Sequence, residues 1–186
     1  MSQLLHLKEP YASLFRIQRA LAGYVSYLAA CDVNVNFTEY ILYEPILRVL
    51  MTQKFKVNCE VSCTKILKND KDAHLKRIDF VAKKRKLCFA LEVKWAGPKK
   101  RNRARNVVNR TLNVEKDHEK LEAFHQKYPD SNSFLCVFGT YNNINKIRLS
   151  PDSFTEPNGV TTKLPPIYAS FKKTQYGCRI YELTSP

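Results

Sequence analysis

The sequence predicts a single mixed αβ domain, and three patterns predict it. Apolar residues recur at helical spacing near the start of the chain and again after residue 113. Dense β-branched and aromatic runs cover residues 54–66, 76–95 and 133–141. The resulting order is helix, three antiparallel strands, helix, strand. A chain of 186 residues with 44% hydrophobic content suits one domain with a sizeable core. We take residues 1–186 as that domain, with a core of about 37–141, an N-terminal helical extension at 10–30 and a C-terminal extension at 142–186.

Taken in order, Pro10 to Ala30 reads as a helix. Pro10 fits its first turn, and Leu14, Ile17, Leu21, Tyr24, Val25 and Leu28 form one apolar stripe. Phe37 to Leu50 is a second helical segment, in which Pro45 demands a kink or a fresh start near Glu44. Lys54 to Ile66 alternates as a half-buried strand, with Phe55, Val57, Cys59, Val61 and Cys63 on the inner side. Two further strands meet in a hairpin closed by Arg85 and Lys86. Asn113 caps a helix to Tyr128, with Leu121 and Phe124 on its buried stripe. Ser133 to Tyr141 is apolar throughout, a strand buried on both faces. Residues 142–166 read as loop with a short strand near Lys146 to Leu149, and Gly177 to Leu183 alternates as an edge strand.

The hairpin carries the chemistry. A turn at Arg85 and Lys86 sets Asp79 directly opposite Glu92, with Cβ atoms about 5 Å apart. Strand alternation puts Lys94 on the same face as Glu92. Opposed acids repel, and the flanking residues Phe80, Val81, Phe89, Leu91 and Val93 are apolar. A divalent cation removes the conflict, and Mg²⁺ takes one or two carboxylates, keeps several waters and sits beside phosphate. A lysine next to it can orient or deprotonate a water. The alternative is an edge hairpin whose charges all face solvent. Two other acids are candidates with plain alternatives as solvated or boundary residues: Glu44, reaching toward the hairpin from its helix, and Asp117, on the stripe of Leu121.

Charge points the same way. Lys and Arg number 31 against 17 Asp and Glu, a net +14 that favours a polyanion such as nucleic acid. Residues 96–110 are a long basic segment holding Lys99, Lys100, Arg101, Arg103, Arg105 and Arg110, placed to meet phosphates or to remain a solvated loop. No basic amphipathic helix, spanning tract or secretory leader is legible, so we expect no membrane partner and a cytoplasmic protein, associated with nucleoid or nucleus. The six cysteines form no Cys-x-x-Cys and read as reduced and buried. No Walker loop and no Gly-x-Ser-x-Gly elbow occurs.

With Asp79, then Glu92-Val93-Lys94, on the second and third strands, residues 37–141 resemble the PD-(D/E)XK, or restriction-endonuclease-like, superfamily of phosphodiesterases. Ile78 stands where the proline of the motif's name would be. The resemblance implies an αβββαβ core, a central mixed sheet flanked by helices, and Mg²⁺-dependent DNA endonuclease activity, with Mn²⁺ as a substitute. It implies that Asp79, Glu92 and the Val93 carbonyl hold the metal. It implies that Lys94 positions the attacking water and that a glutamate before the first strand assists, Glu44 matching best and Glu39 second. A homodimer or a larger nuclease complex would supply the second cut of a duplex. The alternative is a nucleic-acid-binding or assembly module on the same scaffold, without activity.

Overall fold

In a computed structural model the chain forms one mixed sheet with helices on both faces. The structure describes residues 7–31, 39–67, 71–74, 76–96, 108–145, 147, 149–155, 158–159, 162–163, 167–171 and 173–184, with 29, 108–113, 158–159, 162–163, 167–168 and 171 described by backbone alone. Helix α1 (Tyr11–Ala30) buries Leu14, Ile17, Leu21, Val25 and Leu28, the stripe its spacing predicts. A 3-10 turn (Glu39–Leu42) leads into α2 (Tyr43–Thr52). Pro45 falls in the first turn of α2, where its missing N–H costs no hydrogen bond, so the segment restarts there.

Strands β1 (Lys56–Ser62), β2 (Arg77–Lys84) and β3 (Leu87–Ala96) form an antiparallel meander. The β2–β3 register is the predicted one, with Lys84 opposite Leu87 and Phe80 opposite Leu91. Arg85 takes φ 55°, as tight two-residue hairpin turns require. Helix α3 (Val108–Lys127) then crosses to β4 (Asn132–Thr140), which pairs parallel with β3. Residues 133–139 of β4 are all buried, matching their unbroken apolar pattern. Gly139 is required at its place, because a Cβ there would stand 2.2 Å from the Ala96 carbonyl oxygen.

The C-terminal part departs from expectation. A short helix α4 (Tyr141–Ile144) follows β4, and no strand covers the described residues between 145 and 149. The alternating segment near the end is β9 (Thr174–Leu183), an interior strand rather than an edge. It lies antiparallel to β4 and pairs in turn with β5 (Phe154–Thr155) and β8 (Ile167–Phe171). The order across the sheet is β1-β2-β3-β4-β9-β5, with β8 also on β9. A separate small ladder joins β6 (Asn158–Gly159) and β7 (Thr162–Lys163). α3 begins at Val108 rather than Asn113, so the end of the basic segment is helical.

One sheet face packs on α1 and α2 through Phe55, Phe80, Phe89, Leu91, Phe134 and Ile180. The other packs on α3 and α4 through Ala90, Leu135, Val137 and Leu121, Phe124, Ile144. Among the cysteines, Cys63, Cys136 and Cys178 are buried and Cys88 is intermediate, but Cys31 and Cys59 are exposed. Cys59 was expected inside. It lies on the outer strand, where the alternation slips at the next residue. No described helix is long and apolar enough to cross a membrane.

Candidate functional site

The slip occurs where the site is built. β1 and β2 pair residue for residue on both sides of Glu60 and Asp79, yet those two residues are out of the ladder. Glu60 has φ 52°, a left-handed conformation uncommon outside glycine. Before the break Val57 packs toward α1 and α2, and after it Val61 packs toward α3. β2 does the same between Phe80 and Ile78. The strand pair therefore changes face at Asp79, which frees that carboxylate from the regular alternation.

Asp79 uses the freedom to replace the missing ladder bonds. Its Oδ2 accepts from the Val93 backbone N–H at 2.6 Å and its Oδ1 from the Tyr43 hydroxyl at 2.5 Å. Tyr43 Oη also lies 2.8 Å from Glu60 Oε1, so one hydroxyl proton serves two carboxylates. Burial raises the Asp79 carboxyl above its usual range, against the pull of Tyr43, Val93 and Lys94.

Glu92, on β3, is 1% exposed. Neither of its oxygens accepts a directed hydrogen bond. The Lys120 ammonium stands 2.7 Å from Oε1, close enough for an ion pair but badly aligned for a hydrogen bond. Burial first, then the charges of Asp79 and Asp117, push the Glu92 carboxyl well up, and Lys120 opposes them. Lys94 points to the same side, 3.1 Å from Asp117 Oδ2 and 4.0 Å from Glu39 Oε1. Burial would lower the Lys94 pKa, but the carboxylates of Asp117 and Glu39 reverse that and raise it. Asp117 also pairs with Lys120 at 3.0 Å. Three carboxylates and two ammonium groups thus share one nearly dry region.

All of this group but Glu92, which lies buried behind, lines a cleft of about 520 Å³ together with Glu39, Tyr40, Tyr43, Glu60, Lys76, Arg77 and Lys116. Asp79 and Lys94 reach the cleft together with Asp117, but the β2–β3 ladder ends at Phe80 and Leu91, so Asp79 and Glu92 are not the directly opposed ladder pair that alternation predicts, and Glu92 is buried behind them. Glu44 does not line the cleft. Its side chain is 59% exposed and pairs with Arg48 one turn on, at 2.9 Å. The start of α2 at Tyr43 fixes that phase. Glu39 is the acid of this segment that reaches the cleft, where it accepts from the Trp95 backbone N–H at 3.3 Å. Lys99, Lys100, Arg101, Arg103 and Arg105 lie outside the described residues, as does the side chain of Arg110.

Tyr43, Lys120 and Glu60 are participants that the sequence does not single out. Lys120 follows Asp117 by three residues and precedes Leu121, so a charged i, i+3 pair beside a buried stripe was its available signal. Glu60 had none, because strict alternation assigns it to the wet side of β1. Among the described residues no three His, Cys, Asp or Glu side chains form a ready metal cage. The oxygens of Asp79, Glu92 and the Val93 carbonyl are nevertheless a donor set of the kind Mg²⁺ takes, and a Glu92 carboxylate held by an ammonium without a directed hydrogen bond retains capacity for a cation. Comparison with known proteins adds no family: no family model, no curated protein and no solved structure matches the chain.

Proposed function

We propose that the protein is a metal-dependent phosphodiesterase acting on nucleic acid, most naturally a DNA endonuclease of the PD-(D/E)XK kind. The observation that carries the reading is Glu92, sealed from water, without a directed hydrogen bond, beside a second carboxylate and two lysines. Buried acids are normally satisfied by their surroundings, and one that is not has a function or a missing partner. The order α2, β1, β2, β3, α3, β4 and the parallel β3–β4 pair agree with the αβββαβ scheme. The net charge of +14 suits a polyanionic substrate.

Asp79, Glu92 and the Val93 carbonyl would hold Mg²⁺, which supplies Lewis-acid polarisation and a more acidic bound water. The chain's own groups do the rest. Lys94, kept protonated by Asp117 and Glu39, serves as a donor that orients water and offsets charge on a phosphate, not as a base. Asp117 fixes Lys94 and Lys120 on one side of the cleft. Glu39 couples the segment before α2 to β3 through the Trp95 N–H. Lys76, Arg77 and Lys116 on the cleft wall give a phosphate backbone cations to follow.

A second reading has its own observation. The Lys120 ammonium at 2.7 Å already neutralises Glu92, as in a nucleic-acid-binding module that needs no metal. Plasmid nicking separates the two. The nuclease nicks with Mg²⁺ or Mn²⁺ and stops with EDTA. Asp79→Ala and Lys94→Ala each lower nicking by about 100-fold or more while DNA affinity stays within a few-fold. Full activity in either variant, or no metal-dependent nicking in the unaltered protein, ends the nuclease reading.

A further inference from the structure

Lys120 occupies an unusual place for a lysine. It sits on α3 with 9% exposure, and three acceptors surround its ammonium: Asp117 Oδ1 at 3.0 Å, the Arg77 carbonyl at 2.9 Å and Glu92 Oε1 at 2.7 Å. Three acceptors thus stand within reach of its three N–H groups. They are not equivalent. The Arg77 carbonyl receives a hydrogen bond, whereas neither Glu92 oxygen does. Lys120 is thus anchored by β2 and by its own helix, and it compensates Glu92 by proximity alone. Position adds to this. Lys120 lines the cleft and Glu92 does not. The ammonium is therefore a charged contact of the buried carboxylate that also reaches the cleft.

Resting on the metal-dependent reading above, we infer that Lys120 is a displaceable counter-ion that guards Glu92. In the metal-free protein it compensates a carboxylate that burial and two neighbouring acids otherwise make costly. A divalent cation reaching Glu92 takes its place. Asp117 and the Arg77 carbonyl then retain the displaced ammonium at the cleft wall, with the charge that faced Glu92 turned toward an anionic substrate. Lys120 is a positioning residue in this scheme. It sets how tightly the metal is held and keeps the acid compensated between turnovers.

Competition for one carboxylate gives opposite effects for two substitutions. Lys120→Met removes the competing charge and leaves Asp79, Glu92 and Asp117 opposed by Lys94. Mg²⁺ and Ca²⁺ affinity, measured by titration calorimetry without DNA, rises on the order of tenfold. Lys120→Arg keeps the charge and brings a planar fork that grips carboxylates in pairs, so affinity falls several-fold. The rise in Tm on adding either ion follows the same order: Met, then Lys, then Arg. A merely structural lysine predicts no such ordering. Binding in the unaltered protein, with Lys120→Met no tighter and Lys120→Arg no weaker, overturns the inference and leaves the nuclease reading standing. Absence of divalent-ion binding in all three proteins overturns both, and Lys120 is then a permanent counter-ion. If Lys120→Met does not fold, the arginine variant decides alone: weaker binding supports the displacement and unchanged binding refutes it.

Discussion

Two glutamates on one sheet, Glu182 on β9 and Glu92 on β3, received opposite treatment. Glu182 is half-buried, and neutral donors meet it: Tyr11 Oη at 2.9 and 3.1 Å from its two oxygens, and Asn132 Nδ2 at 3.1 Å. Glu92 is more deeply buried and has no directed hydrogen bond, only an ammonium beside it and two further acids nearby. Burial is the first cause of a raised carboxyl pKa at both. At Glu182 the hydrogen bonds of Tyr11 and Asn132 oppose it. At Glu92 the charges of Asp79 and Asp117 add to it. Glu182 is closed by groups that have no other state to adopt, and it ties α1 to the sheet. Glu92 is surrounded by charges of both signs, whose balance an arriving cation changes. The first arrangement serves the fold. The second is poised for chemistry.

The strongest way to break the contrast is Glu92→Gln. It removes a proposed ligand, so nicking falls by about 100-fold or more and the Mg²⁺-induced rise in Tm disappears. Stability moves the other way. A carboxyl whose folded pKa is raised contributes stability below its unfolded pKa, and that contribution is lost as pH rises through the folded value. The wild-type protein in EDTA therefore loses stability from the ordinary carboxyl range upward. Glutamine has no such titration. The variant melts about 2–4 °C above wild type near neutral pH, with the gap closing in acid. Melting curves across pH in EDTA check this, and a gap independent of pH refutes the electrostatic account of Glu92.

Tyr11→Phe probes the other glutamate. It removes both Tyr11 contacts and leaves Glu182 with Asn132, at a cost of about 1 kcal/mol. The expected loss is roughly 2–4 °C in Tm. Mg²⁺ affinity and nicking stay at wild-type levels, because neither Tyr11 nor Glu182 lines the cleft. A tenfold loss of nicking in this variant would mean that the two acids are not separable.

The hairpin was legible because a two-residue turn and a period of two leave one register, and the predicted one is observed. The unbroken apolar run of β4 was legible for the same local reason. What failed depends on partners distant in sequence. β9 reads as an edge strand by alternation, yet the pairing of β5 and β8 on it makes it interior, and two short strands leave little pattern to read. The face change at Asp79 comes from a backbone conformation at Glu60 that no residue type there announces. Nothing local singles out Lys120, because a lysine next to a helical stripe is usually solvated, and only three converging acceptors make it otherwise.

The smallest effect tests the phase of a single turn. Glu44 and Glu39 stand at the start of the same helical segment, and the resemblance to nucleases favours Glu44. The geometry favours Glu39. Glu44 spends its carboxylate on an exposed pair with Arg48, whereas Glu39 binds the Trp95 N–H and lies 4.0 Å from Lys94. Exposed pairs of this kind contribute little. Glu44→Gln therefore changes nicking and Mg²⁺ affinity by less than about twofold. Glu39→Gln keeps an acceptor for Trp95 but withdraws a charge from Lys94, and it lowers the nicking rate by about 3- to 10-fold. Parallel nicking assays of the two variants read the difference. The reverse order would mean that α2 turns Glu44 into the cleft when substrate binds, and that the site is completed from the face of α2 now turned to solvent.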